Sequence, residues 1–305
     1  MFTIVGGGFG LYGYLPALLN VTRDGVVLLA EKYRKVIESR SELRCCMGSI
    51  EWCPSIVDAL SVASGAVIAT PPSAQKTLVE DILSIRKVKK LIIEKPICPK
   101  PNDSISLISA LAVQSKHFRV GYTFLHTDWY RELQADLWRP AAKLHINWVF
   151  KADHFIRDKD TWKKYHSLGG GVMRFYGIQL LAVLASLGYS QVASSQLFSR
   201  FPDQPEAWIA RFSGTNVPPC LVCIATNSNH NDFHIEVRED ATKVRFLYND
   251  VSPFRNTKNN SNQDSRVSIL ERLIYSMDGN DEHYMMLYNA TNALWAHTEM
   301  LHTDL

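Results

Sequence analysis

No stretch of this sequence stays apolar for the roughly 20 residues that a membrane helix needs. Its start runs straight into Phe2-Thr3-Ile4-Val5 rather than into a basic, then apolar, leader. Charge is also sparse. A formal net charge of +3 with no dense lysine and arginine tract gives no footprint for nucleic acid. The most basic stretch, Arg86-Lys87-Val88-Lys89-Lys90, falls between a helix and a strand and reads as a solvated loop. Six cysteines are scattered at 45, 46, 53, 98, 220 and 223. The lone C-x-x-C of Cys220 and Cys223 lacks the second Cys/His pair of a structural zinc site, and it lies in an apolar strand, so both read as small buried residues. No metal is expected, and reduced thiols in a cytoplasmic protein are. Internal repeats are missing too.

What is present is an ordinary globular composition, 46% hydrophobic and 21% charged, over 305 residues, a length that suits two domains. Residues 1–120 alternate short apolar runs with helical patterns, the signature of a parallel α/β sheet. The runs are Phe2–Val5, Val26–Ala30, Ala66–Ala69, Leu91–Ile93 and Phe118–Val120, with a weaker one at Arg44–Met47. Helices are expected over Ser73–Ile85, capped by Ser73, and over Asn102–Gln114 after Pro101. Six such units predict a Rossmann doubly wound sheet that binds its ligand at the carboxyl ends of the strands.

From residue 121 to 305 the pattern changes to a second, α+β domain. Lys143–Phe150 and Phe233–Arg238 alternate polar and apolar residues as half-buried strands, and further strands are expected over Ala207–Ser213, Leu221–Thr226 and Lys243–Tyr248. Helices are expected over Val172–Leu187 and Glu282–Met300, against an open, mainly antiparallel sheet. The polar run Arg255–Ser265 predicts a mobile loop.

The first strand feeds Gly6-Gly7-Gly8-Phe9-Gly10 and then a helix. That arrangement lets backbone N–H groups approach a pyrophosphate at a helix N-terminus. Two registers are open, Gly6-x-Gly8 with Leu11 in third place, or Gly8-x-Gly10-x-x-Gly13. The second strand ends at Glu31-Lys32-Tyr33-Arg34. An acid there accepts the ribose 2′-OH of NAD, whereas cations suit the 2′-phosphate of NADP. Glu31 argues for one and Lys32 with Arg34 for the other, so NAD or NADP stays open.

Taken in order, the glycine loop, the turn Ala69-Thr70-Pro71-Pro72 and the triplet Glu94-Lys95-Pro96 resemble the glucose–fructose oxidoreductase/inositol dehydrogenase (Gfo/Idh/MocA) family. The resemblance is close over 1–100, recognisable to about 188 and architectural beyond. It implies hydride transfer between NAD(P)(H) and a sugar-derived carbonyl or hydroxyl substrate, such as a sugar nucleotide or secondary metabolite, bound where the two domains meet. It places Thr70-Pro71 against the cofactor, with Gln75 where relatives often carry His, and sets Lys95 beside the nicotinamide and the reacting carbon. It brings Tyr122 to the nicotinamide side, although Leu125 stands where relatives have Arg. Trp162-Lys163 resembles a Trp-Arg element that binds substrate, without the bidentate fork of Arg. It also implies a homodimer or homotetramer formed through the second domain's sheet.

Gly169-Gly170-Gly171-Val172-Met173-Arg174-Phe175-Tyr176-Gly177-Ile178-Gln179 matches the family's G-G-G-x-x-x-D-x-G-x-H, with Phe175 for Asp and Gln179 for His. A later family Asp falls on Ala182. Positions four apart share a helix face. Phe cannot exchange a proton, and Gln is no acid or base near neutrality. Three explanations are open: a proton supplied by Tyr176, Lys95, His126 or His166; a substrate such as an imine that needs little acid help; or a dinucleotide-binding sensor without turnover, as in a galactose-pathway repressor related to this family. Lys95, Tyr176 and Gln179 are the candidate catalytic residues, and Lys95, Trp162, Lys163, Phe175 and Gln179 the candidate substrate contacts.

Overall fold

The computed structural model describes residues 1–22, 25–136, 143–239, 243–254 and 264–304; residues 255–263 of the polar run lie outside them. The chain forms two compact units. Where the sequence places one boundary near residue 120, the described residues of the first unit comprise 1–97, 106–126 and 264–284, and 98–105 go with the second. The return is driven by the helix Val267–Tyr275. It buries Val267, Leu270 and Leu273 in one core with Leu11, Leu15 and Leu18 of the helix that follows the glycine loop.

In the first unit, β1 (Phe2–Val5), β2 (Val27–Ala30), β3 (Ile50–Cys53), β4 (Gly65–Ile68), β5 (Lys90–Ile93) and β6 (His117–Val120) make one sheet. All neighbours are parallel, in the order β3-β2-β1-β4-β5-β6 of the Rossmann fold. All four residues of β2 and of β4 are buried, as expected of strands covered on both faces. Two expectations fail locally. Arg44–Met47 is no strand but part of a 3-10 helix, Ser41–Ser49, and the strand begins at Ile50, where buried Ile50 and Cys53 flank Glu51 and Trp52. Ser73 is no cap. The helix Pro72–Leu83 starts one residue earlier, because Pro72 has its backbone angle pre-set for a first helical position and needs no N–H.

In the second unit, β7 (Lys143–Lys151), β8 (Tyr189–Ser199), β9 (Pro205–Gly214), β10 (Cys220–Ala225), β11 (Asn227–Arg238), β12 (Val244–Asp250) and β13 (His302–Asp304) form a sheet in the order β12-β11-β7-β10-β9-β8-β13. Only β7–β10 and β8–β13 are parallel pairs among them. Leu144, Ile146, Trp148, Val222 and Ile224 are buried, whereas His145, Asn147, Leu221 and Cys223 are half-exposed. Cys223 is therefore not the buried residue expected; strand alternation turns Cys220 inward and Cys223 outward. His166–Ser186 is, by length and composition, apolar enough to cross a membrane, against the expectation that no stretch is, but 78% of its apolar window is buried inside the protein, as in a core helix.

Candidate functional site

The five segments singled out for the dinucleotide all end up at the carboxyl edge of the first unit's sheet. Gly6 follows β1, Glu31 β2, Thr70 β4, Glu94-Lys95 β5 and Tyr122 β6. The ladder continues past the strands, since Ala69 N–H donates to Val5 O, Glu94 N–H to Ile68 O and Gly121 N–H to Ile93 O, each at 2.8 Å. The turn after β1 and the turn after β4 therefore lie side by side where the strand order reverses.

Within the loop Gly6 and Gly8 divide the work as the first register has them, and only its third position differs. Gly6 has φ +142°, and a Cβ there would sit 2.2 Å from Ala69 O, so only glycine fits the turn. A Cβ on Gly8 would meet nothing within 4 Å, which leaves its backbone open to a ligand. Gly10, not Leu11, packs helix on sheet: a Cβ there would lie 2.9 Å from Ile4 Cγ2 and 3.2 Å from Ala69 Cβ. Leu11 is buried in the core instead, and a Cβ on Gly13 would strike the Phe9 ring rather than face a ligand. The one-residue shift coincides with a π-helical turn at Gly10–Tyr14 ahead of the helix Leu15–Val21. The Thr70 hydroxyl is buried with no hydrogen-bond partner among the described residues. A buried unmet hydroxyl on the turn next to the glycine loop is what a polar ligand would satisfy.

At the end of β2, Arg34 grips Glu31 in a two-pronged pair, Nε to Oε2 and Nη2 to Oε1, both 2.8 Å. The same guanidinium lies 4.2 Å from the Trp52 ring centre, and the Lys32 ammonium 5.3 Å from that of Tyr33. Arg34's hydrogen bonds hold the Glu31 carboxyl below its usual range. The acid and the cation that argued for different cofactors thus neutralise one another. Tyr33, passed over in the sequence, has its hydroxyl 2.9 Å from Gly6 N–H, from which it accepts.

The turn carrying Lys95 is held from both sides. Fully buried Gln75 uses its amide nitrogen to donate to Glu94 O at 2.8 Å, Pro96 O at 2.9 Å and Ile97 O at 3.2 Å. The Tyr14 hydroxyl donates to Glu94 Oε1 at 2.6 Å. Burial pushes the Glu94 carboxyl up, against the pull of Lys95, Tyr14 and Arg266. Burial and Glu94 raise the Tyr14 phenol. Gly121 fits only because it has no side chain, since a Cβ would lie 2.5 Å from Glu94 Oε1. Tyr122 is buried, and that burial raises its phenol above its ordinary range.

Arg266 was not visible as a site residue. It arrives with the 264–284 return and lies 4.2 Å from the Phe9 ring centre, its Nε and Nη2 donating to Asp264 at 2.8 and 2.7 Å. Burial works against its charge, but the bonds to Asp264 outweigh it and keep Arg266 firmly cationic.

In the second unit the triple glycine serves close packing. Gly169 and Gly171 have φ +84° and +72°, and a Cβ on Gly170 would lie 2.2 Å from Trp162 O. Trp162 and Lys163 are thereby laid against the segment bearing Phe175. Trp162 stands edge-on to Phe175 with centres 5.2 Å apart, and Lys163 Nζ lies 5.2 Å from the Phe175 centre. Val172–Gly177 is a second π-helical segment, which carries Phe175 and runs into the helix Ile178–Ser186 that carries Gln179. Phe175 and Tyr176 are half-exposed, whereas Gln179 is 3% exposed. Tyr176 packs among Phe175, Phe150 and Trp148 at 4.7, 5.0 and 5.7 Å. His154, also missed, is buried 6.4 Å from Tyr176, and burial, then Lys163 and Lys164, push its imidazole down to about 4. His166 sits 4.0 Å from Glu299, whose carboxylate is gripped by Arg174 at 2.6 and 2.7 Å. The backbone carbonyl of His126, in the first unit, accepts from Arg272 at 2.9 Å.

No family model and no curated protein matches the chain. Solved structures share its fold over nearly its whole length. The super-repressor mutant of Gal80p from Saccharomyces cerevisiae is 10% identical, with 98% of this chain and 95% of that one covered and a TM-score of 0.72. The WlbA dehydrogenase from Chromobacterium violaceum, in complex with NADH and UDP-GlcNAcA, is 12% identical over 98% and 93%, with a TM-score of 0.71. GenD2 from gentamicin A biosynthesis, in complex with NAD, is 14% identical over 98% and 93%, at 0.70. At these identities the likeness establishes the fold: a parallel Rossmann sheet followed by a second unit built on a mixed, mainly antiparallel one.

Proposed function

We propose that the chain is an NAD(P)(H)-dependent oxidoreductase acting on a sugar-derived carbonyl or hydroxyl substrate, in the manner of the Gfo/Idh/MocA family. One observation carries the reading. The open backbone of Gly8, the unmet hydroxyl of Thr70 and the clamped turn of Lys95 lie at the carboxyl edge of one parallel sheet. These features fit a dinucleotide. Gly6, Gly8, Phe9 and Gly10 would hold its pyrophosphate, Glu31, Lys32 and Arg34 its ribose end, and Thr70, Pro71, Glu94, Pro96 and Tyr122 the remainder. Bound there, the nicotinamide accepts or supplies the hydride.

Lys95 donates a hydrogen bond to the substrate oxygen and stabilises the charge that develops on it. In the second unit, Trp162, Lys163 and Phe175 present an aromatic and cationic surface for the substrate, with Tyr176 or Gln179 orienting it. A sugar-nucleotide substrate is supported by the complex of WlbA, which shares the fold. Free thiols fit a cytoplasmic setting, and a homodimer or homotetramer is the proposed assembly.

A second reading, dinucleotide binding without turnover, is favoured by Phe175 and Gln179, neither of which can act as an acid or base near neutrality. It also has the fold of the Gal80p repressor on its side. Titration with NADH and NADPH, followed by energy transfer from the tryptophans, separates the outcomes. Binding of one form, with turnover of a sugar-nucleotide substrate abolished in Lys95→Ala while nucleotide binding persists, supports the enzyme. Binding with no turnover supports the sensor, and binding of neither nucleotide overturns both.

A further inference from the structure

On the half-exposed face of the second unit's sheet, β7 and β11 bring a nitrogen-rich cluster together. His145 pairs across the strands with Glu236, and Asn147 with His234, so the four side chains lie on one face. One possible ligand atom from each of His145, His234 and Glu236 lies within 4.8 Å of the others. His145 Nδ1 is 3.2 Å from Glu236 Oε1. Two ligands bonded to a tetrahedral zinc-type cation at about 2.1 Å stand roughly 3.4 Å apart. The cluster thus needs a closure of about 1.4 Å at its widest, within reach of side-chain rotation.

The surroundings are those of a ligand set. Asp232 Oδ2 is 2.8 Å from His234 Nδ1 and also accepts from Asn147 Nδ2 at 2.6 Å. A carboxylate on one ring nitrogen fixes the imidazole and leaves Nε2 as the coordinating atom. His145 Nε2 is buried without a hydrogen-bond partner among the described residues. A neutral imidazole bonded to Glu236 through one nitrogen therefore leaves the other unmet. Arg238, half in solvent, donates from Nε to the same Glu236 oxygen at 3.0 Å, and its Nη2 forms an ion pair with that oxygen at 2.9 Å. It supplies positive charge where a cation would add more, and it can swing outward.

We propose that His145, His234 and Glu236 bind one divalent transition-metal cation, with Asp232 and Asn147 orienting His234 and Arg238 as the placeholder it displaces. Two imidazoles and one carboxylate suit zinc and leave a fourth position for water. The site would tie β7 to β11.

The test is titration of the full, chelator-treated chain with Zn²⁺ and Co²⁺, read by stoichiometry and by the visible spectrum of four-coordinate cobalt. One equivalent is expected, lost in His234→Ala and in the near-isosteric Glu236→Gln. Asp232→Asn should weaken binding about tenfold. Arg238→Ala should keep or tighten it. Absence of binding, or binding undiminished in His234→Ala and Glu236→Gln, which would place the metal elsewhere on the chain, overturns the assignment. So does equal loss in Arg238→Ala, the mark of a disturbed strand rather than missing ligands.

Discussion

The side-chain amide of Gln75 donates to the carbonyls of Glu94 and Pro96, one on each side of Lys95, at 2.8 and 2.9 Å. A side chain from the helix Pro72–Leu83 thus fixes the backbone that presents the lysine, while Gln75 Oε1 has no partner among the described residues. Gln75→Leu strands the carbonyls but also removes that orphan oxygen, so a cost of about 1–3 kcal/mol is expected. Gln75→Glu loses the donors and faces the carbonyls with a second acceptor, so it should cost more. Urea unfolding of both variants checks the order; equal stabilities would mean that the clamp does not hold the turn.

The glycine loop separates stability from binding. Gly10→Ala drives a methyl to within 2.9 Å of Ile4 and should destabilise by about 1–3 kcal/mol. Gly8→Ala meets nothing within 4 Å and should leave the melting temperature unchanged. If a pyrophosphate lies against Gly8, the same methyl should weaken NAD(P)H binding at least tenfold. Unaltered binding in Gly8→Ala would remove the nucleotide from the loop.

The first unit was legible because its strands are short runs buried on both faces, such as Val27–Ala30, and because glycines follow the first of them. The π-helical turn at Gly10–Tyr14 left no such signal, so the third position of the Gly6-x-Gly8 register fell on Leu11 while Gly10 took the packing role. Gln75 was seen only as a departure from His, since nothing local reveals three carbonyls brought to it by a neighbouring strand. Arg266 depends on a return from more than 250 residues away, beyond any periodicity. Tyr189–Ser199 escaped notice as a strand because its serines and glutamines blur the alternation that exposed Lys143–Phe150.

In the second unit His154 should make stability pH-dependent. Burial, then Lys163 and Lys164, lower its imidazole from 6.5 to about 4 in the folded chain. The unfolded chain therefore binds the extra proton first. Stability from this group is full above pH 6.5 and is lost as pH falls toward about 4, by up to roughly 3 kcal/mol. His154→Phe should flatten that part of the profile in denaturant melts from pH 7 to pH 4. An unchanged slope would mean that the imidazole gains its proton without opening the fold.

Glu94 should act with the opposite sign. Its carboxyl is raised above the ordinary 4.5 by burial, so between that value and its folded value the native chain holds a proton that the unfolded chain has released. Stability from this group is present at acid pH and falls as pH rises through that window. Glu94→Gln keeps an acceptor for the Tyr14 hydroxyl but carries no titrating proton. The variant should therefore gain on the native chain as pH rises from 4 upward, measured as the difference between paired urea melts. A difference independent of pH would show that Glu94 ionises as freely in the fold as in the open chain, and that the Tyr14 hydrogen bond and Lys95 together offset its burial.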